Sequence, residues 1–491
     1  MMKIKTNFKY LAFALVLALF NNISAEAEVE KKLSLKECIE ITLKNNLDLK
    51  IEKFNPELKQ LNLKKNLDEY SLYFSFQPNI KQNNKPSSNS FITGASLLNE
   101  LSQNYDFSFN QKFLTGANLA FNFDNSIFFT NSTRVDINPS ITPRLTLAFS
   151  QPLLKNAFSG YRKIELAENE TETANLKLKN RIIELISKVN NNYWDIVLTK
   201  ERLKVLEKSL DLAKELLKIN KEKEKAGFLA KIDILSTEAN IASKEENILQ
   251  VKRDLGNRED RLKILLNDNN ITWKTELKID EKPYFSKMNV DIDKIYEDAL
   301  KNRVDYLLAR LELKSFLIEK TLAEQNKLPQ LNLAGNTGLE SLDNNYFNSL
   351  NKLLSFKTYF WNIGFSFEVP VTGNIYETQY KESLLNYQKQ EVTLKNLESN
   401  LYLESREAVR NLQINEKRVE ANQLSKKLAE EQVKAETEKF NLGLSTNFQV
   451  LQFQRDYENA SLSEVNALID YIKSQNDIFE VSGTLAIREG L

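Results

Sequence analysis

The 491-residue chain contains no histidine. That removes the side chain that most often serves as general base near neutral pH and as metal ligand. One cysteine and three methionines leave no sulfur set for a soft metal. A lone cysteine, Cys38, also excludes an internal disulfide. It sits in a helical pattern and reads as a small apolar core residue. An excess of one charge is missing too: 67 Lys and Arg balance 67 Asp and Glu, which argues against a binder of nucleic acid. Past the first thirty or so residues no apolar run is long enough for a membrane-spanning helix. Carboxylates and lysines are plentiful, but they fall at the spacing of solvated helix faces and form no convergent acidic cluster. The sequence therefore predicts no enzyme, no cofactor and no metal site.

The first residues read as an export signal. Lys3, Lys5 and Lys9 form a positive region, and Tyr10–Phe20 an apolar core. Ala25-Glu26-Ala27 or Ile23-Ser24-Ala25 offers a cleavage site. The core is too short for an anchor, because a spanning helix takes about 20 residues. Residues 1–25 are expected to be removed.

What the chain does contain is a repetition. Leu43–Asp48 (LKNNLD) returns as Leu300–Asp305 (LKNRVD). Pro152, which opens a long helical run, returns as Pro370. Ala226–Leu229 (AGFL), which ends that run, returns as Leu442–Ser445 (LGLS). The unit is far longer than a solenoid repeat and implies two similar halves. Residues 26–267 form the first, 268–290 a linker without strong pattern, and 291–491 the second.

Each half has the same order of patterns. A short amphipathic helix comes first, with Leu35, Ile39 and Leu43 on one face. A second helix is expected from Asp48 to about Phe76, irregular near Pro56 and stopped by Pro78. Its counterpart runs from Asp305 to Lys327. Between about 79 and 151 the periodicity changes to two. Tyr105, Phe107 and Phe109, then Leu119, Phe121 and Phe123, then Leu145, Leu147 and Phe149 alternate with small polar residues, which predicts three strands. Thr115-Gly116 suits a hairpin turn between the first two. Two strands are expected in 330–370, around Leu331 and Leu333 and from Trp361 to Val369.

Long helical hairpins follow, over about 160–267 and 375–483. Ile164 to Ala226 has neither proline nor glycine, so one helix on the order of 95 Å is expected at ~1.5 Å per residue. Leu185, Val189, Ile196, Leu203, Leu210 and Leu217 trace a coiled-coil seam along it. Ile241, Ile248, Leu255 and Leu262 carry the seam back. Tyr380, Tyr387, Leu394, Leu401 and Ala408 form the second seam. Gly227 and Gly443 mark helix ends. Each long helix outruns its return helix, and the earlier helix makes up the difference. Strands and turn are thus expected at opposite ends of a rod.

An exported chain with aromatic, alternating strands suggests an outer-membrane barrel, and lipid requires such a sheet to close. One chain offers about four or five strands, and closed barrels have at least about eight. Three copies contributing four strands each would give twelve.

The repeat, the export signal, Gln151–Leu154 (QPLL) and Phe440–Leu451 (FNLGLSTNFQVL) together resemble the TolC-type outer-membrane efflux proteins, over nearly the whole chain past the signal. The resemblance implies an α+β membrane protein with two structural repeats per chain. It implies a homotrimer in outer-membrane lipid, with a twelve-stranded β-barrel continuous with a long periplasmic α-helical coiled-coil barrel. The implied partners are a periplasmic adaptor and an inner-membrane pump, proton-driven or ATP-driven. The implied role is a passive exit duct for efflux or type I secretion, opened at its periplasmic tip. Carried over by motif, adaptor docking falls to Ala226, Gly227, Phe228, Leu229, Leu442, Gly443, Leu444 and Ser445. Such proteins narrow the periplasmic mouth with acidic side chains a little beyond each glycine. Those positions are Asp233 in the first half and Gln449 in the second, with Gln452 next. The two glutamines and the nearby Lys231 weaken the cation selectivity that three copies of Asp233 would give. A rival reading is a secreted trimeric coiled-coil adhesive or structural protein with a β head. It explains heptads and strands but not the duplication.

Overall fold

A computed structural model describes residues 31–279 and 281–490; the export-signal residues lie outside that range. A two-residue strand β1 (Lys31–Lys32) precedes helices α1 (Leu35–Asn45) and α2 (Leu47–Asp68). Strand β2 (Leu72–Pro86) and the short helix α3 (Ser90–Thr93) follow. Then come β3 (Leu97–Lys112), β4 (Asn118–Thr130) and β5 (Ser140–Pro152). Helices α4 (Ser159–Lys225) and α5 (Lys231–Leu266) complete the first half. Strand β6 (Leu277–Lys278) lies in the linker. The second half runs through α6 (Ile292–Asn302), α7 (Val304–Asn326), β7 (Gln330–Glu340) and α8 (Tyr346–Leu354). It ends with β8 (Tyr359–Glu368), α9 (Ile375–Asn441), α10 (Asn447–Val481) and α11 (Leu485–Arg488).

The duplication shows in the helix lengths. Helices α1, α2, α4 and α5 have 11, 22, 67 and 36 residues; α6, α7, α9 and α10 have 11, 23, 67 and 35. Two compact units divide the chain. One takes in the described residues up to Ile51, Arg181–Arg303 and the chain from Leu401 on; the other takes in Glu52–Asn180 and Val304–Asn400.

In the first unit, helix α1 begins with a capping box. Ser34 accepts from the Glu37 amide while the Glu37 carboxylate accepts from the Ser34 amide at 2.8 Å. Its Cys38 and Ile39 enter a core with Val189, Tyr193, Ile196, Leu262, Leu266 and Ile469. Cys38 is wholly buried, as its pattern predicts. Strand β1 pairs in parallel with β6, giving the linker a little regular structure. Along α4 the expected seam residues Leu185, Val189 and Ile196 are buried. Further on, Leu203, Leu210 and Leu217 are only half-buried, and Leu206, Ala213 and Leu216 take the core positions. A straight helix drifts about 20° per heptad against a strict seven-residue repeat, which carries the buried face away from the predicted stripe.

The second unit holds one antiparallel sheet in the order β2-β3-β4-β5-β7-β8. Two expectations are corrected here. The second helix stops at Asp68, not near Phe76, and Leu72–Pro86 is a strand. Leu72, Phe74, Phe76 and Ile80 alternate with Tyr73, Ser75, Gln77 and Lys81, so the period of two begins before Pro78. Pro78 falls within β2, which is the edge strand of the sheet within one chain, a position where strands accept proline. The first half thus supplies four strands rather than three, and the chain six rather than four or five. The expectation of twelve for three copies takes four strands per chain, and this sheet offers six.

The helix pairing expected from the lengths is present in each unit. In the second unit Lys59 of α2 bonds Glu170 of α4 at 2.8 Å, and Gln390 of α9 donates to Glu312 of α7 at 3.0 Å. In the first unit Lys221 of α4 pairs with Glu238 of α5 at 3.0 Å, and Lys426 of α9 with Glu464 of α10 at 2.6 Å. Among the described residues no helix is long and apolar enough to cross a membrane.

Candidate functional site

The α4–α5 and α9–α10 turns are built alike. Gly227 has φ 77° and Gly443 φ 78°, the left-handed region that favours glycine. The Gly227 amide donates to the Glu224 carbonyl and the Phe228 amide to that of Lys223, both at 2.9 Å. Gly443 donates likewise to Phe440 at 3.1 Å and Leu444 to Lys439 at 2.8 Å. This is the Schellman closure of a helix, in which the residue after the glycine normally covers an apolar side chain one turn back. Here that earlier position is Lys223 or Lys439, so nothing apolar receives it. Phe228 is 83% exposed and Leu444 76%. Leu442, Ile232 and Phe448 add exposed apolar surface.

The two turns are brought together. Lys223 donates to the Phe440 carbonyl, and its ammonium lies 4.0 Å from the Phe440 ring centroid. Leu229 packs with Leu216, Ile219, Phe440, Val450 and Leu451. Of the eight predicted docking residues, Ala226, Gly227, Phe228, Leu442, Gly443 and Leu444 face solvent, Ser445 is half-exposed and Leu229 is partly buried beneath them. Ser445 donates to Glu436, and that bond, with Lys439 beside it, holds the Glu436 carboxyl below its usual range.

The expected gate residues occupy matched places. Asp233 and Gln449 are each third in the helix after their turn. Gln449 is taken up by its own helix: its amide donates to Thr446 Oγ1 at 3.3 Å, and its side-chain oxygen accepts from Ser445 Oγ at 2.9 Å. Gln452 donates to Asp456 at 3.1 Å. That contact places a carboxylate at Asp456, which the sequence reading did not single out. Asp233 is half-buried, and its main-chain carbonyl accepts from Asn447 at 3.2 Å.

Behind the turns lies a feature that sequence reasoning missed. Three polar layers join α4, α5 and α10. Nearest the turns, buried Asn220 donates to Thr237 at 2.9 Å and to Asn447 at 2.8 Å. In the middle, Lys244 pairs with Glu458 and donates to Ser209 at 2.7 Å. In the third, Asp195 accepts from Arg258 at 2.7 Å and from Lys473 at 2.6 Å. Sequence carried a signal for the middle layer, because Lys244 stands on the seam between Ile241 and Ile248. Polar residues at seam positions fix register and partner choice at a cost in stability. Asn220→Ala is expected to lower stability by about 1–3 kcal/mol, because it strands buried partners on two other helices. Denaturant unfolding and amide exchange at the end of α4 would read the loss.

No curated protein matches the sequence. The family described as outer membrane efflux protein matches residues 130–268 and 295–484, well over half of the chain. The chain belongs to that family, and so is an outer-membrane efflux channel protein rather than a member of an enzyme family. The fold agrees with solved channels. The VceC outer membrane protein of Vibrio cholerae matches with a TM-score of 0.66 and 13% identity over 91% of this chain and 96% of that one. The outer-membrane channel OprN matches at 0.69, with 14% identity over 92% and 90%. The CmeC channel of Campylobacter jejuni matches at 0.66, with 20% identity over 94% and 90%.

Proposed function

We propose that the chain forms the passive exit duct of a tripartite efflux or type I secretion assembly. In this reading three copies close a barrel in the outer membrane and hold their helical hairpins in the periplasm. A periplasmic adaptor docks on the two turns and opens them, and an inner-membrane pump supplies the energy. The observation that carries the reading is the pair of Schellman turns whose apolar residues, Phe228 and Leu444, find no cover in their own chain. Exposed apolar residues at helical spacing on α2, Phe54, Leu58 and Leu61, fit burial against a neighbouring copy. Asp233 would form a ring of three carboxylates at the mouth, while Gln449 and Gln452 limit its selectivity for cations.

Planar-bilayer conductance of the purified protein, with its mass measured on the same sample, tests this. A trimer with small, mostly closed channels is expected. Asp233→Ala is expected to conduct more and to lose part of its cation preference. A monomer, or a trimer silent in both forms, would favour the adhesive coiled-coil reading instead.

A further inference from the structure

We infer that the membrane wall has eighteen strands, six from each of three copies, closed where β8 of one copy pairs with β2 of the next. The inference rests on the trimeric duct proposed above and departs from the twelve strands that the family resemblance implies.

The β2–β3 hairpin is part of the wall rather than an appendage. Its ladder is unbroken from Leu72 opposite Gln111 to Pro86 opposite Leu97. One apolar row crosses the whole sheet in register: Phe76, Phe107, Phe123, Leu145, Leu339 and Tyr359. On the other face Ser75, Ser108, Asn122 and Thr146 lie in one row, with the Ser75 and Ser108 hydroxyls 2.7 Å apart. An apolar face backed by a polar one is the pattern of a barrel wall between lipid and lumen. The hairpin contributes as fully as the other strands. Phe76 and Phe107 stack at 4.7 Å, and Phe74 lies 5.1 Å from Phe109. Folded away from the lipid, the hairpin would leave these rings in water.

Length agrees as well. A tilted spanning strand needs about 9–11 residues. β2 has 15 and β3 has 16, and the shortest strand of the sheet, β8, has 10. Both edges, β2 and β8, are open in one chain, and lipid tolerates no open edge. The helices continuing from those edges carry exposed apolar residues too: Phe54, Leu58 and Leu61 on α2, Leu385 and Val392 on α9. A second copy of the same chain therefore fits both edges. The matched family segment starts only at residue 130, so the hairpin lies outside it. Barrel diameter grows roughly linearly with strand number, which makes this lumen about 1.5 times as wide as that of a twelve-stranded wall.

Disulfide scanning tests the closure. In a Cys38→Ala background, cysteines replace Asn362 or Ser366 on β8, together with Ser75, Gln77 or Asn79 on β2. A parallel set pairs the β8 positions with Asn122 or Asp124 on β4, which would be the exposed edge of a twelve-stranded wall. Facing residues on neighbouring strands are close enough for a disulfide in some pairings. Oxidised membranes are expected to show covalent dimers and trimers for at least one β8–β2 pairing and none for β8–β4. Cross-linking of β8 to β4 would overturn the inference. So would a protein that is trimeric by mass yet cross-links at no β8–β2 pairing. A monomer by mass would overturn the trimeric duct itself, and the eighteen-stranded wall with it.

Discussion

Replacing Phe228 and Leu444 together with aspartate is expected to abolish export while leaving a folded protein in the outer membrane. Both side chains are almost wholly exposed, so folding has little to lose. Docking has much more to lose. Burying one such side chain contributes roughly 1.5–3 kcal/mol, so losing two lowers affinity at one copy by about a hundredfold or more. In the proposed trimer, three copies acting on one adaptor ring would multiply that deficit. Cells carrying the variant should retain an efflux dye as cells lacking the protein do, with unchanged protein in the outer membrane. Normal export would remove these turns from the docking surface. Gly443→Val approaches the same question through the backbone. A Cβ there would meet nothing within 4 Å, so the penalty is the left-handed φ alone, about 1–2 kcal/mol and worse for a branched side chain. The turn should shift and assembly fail, whereas Gly443→Asn should preserve both.

Lys244→Met is expected to destabilise the first unit by about 3–5 kcal/mol, because it leaves the Glu458 carboxylate buried without its partner. The side chains of Lys244 and Glu458 are only 5% and 14% exposed. Ser209 also loses its donor. The double change Lys244→Met with Glu458→Met should recover most of the loss, since an apolar pair of similar size removes both charges. Denaturant midpoints of the four proteins close the cycle. Because the pair ties α5 to α10 and lies between the layer nearest the turns and the Asp195 layer, the single variant should also open more often in bilayers. A single variant as stable and as closed as the parent would show that the layer neither holds the helices nor restrains the gate.

The helical half of the fold was legible because helix signals are local and dense. Proline and glycine are absent from Ile164 to Ala226, glycine stands at both turns, and the repeat supplies a second reading of each element. Strands were harder. Leu72–Ile80 follows a helix without a glycine and contains Pro78, so in sequence its alternation reads as the end of α2. Proline marks a break in a helix but is compatible with an edge strand, and sequence does not say which strand is the edge. At the site, the turns could be read from the duplication, and the matched places of Asp233 and Gln449 from the family resemblance. The polar layers could not, because Asn220, Thr237 and Asn447 lie far apart in sequence and look like ordinary surface residues. Their burial depends on which third helix packs there.

No neighbouring atom crowds the tips of the turns: a Cβ at Gly227 or at Gly443 would meet nothing within 4 Å, and only the left-handed backbone restricts the glycines. The exposed side chains Phe228, Leu442 and Leu444 can therefore change with little consequence for folding. The two copies of the turn have already diverged, with Phe228 answering Leu444 and Asp233 answering Gln449. On the proposed docking role, a duplicated chain would present two different recognition surfaces from one scaffold, and each could be exchanged between relatives as a short cassette. Partner choice would then change, by evolution or by engineering, separately from stability.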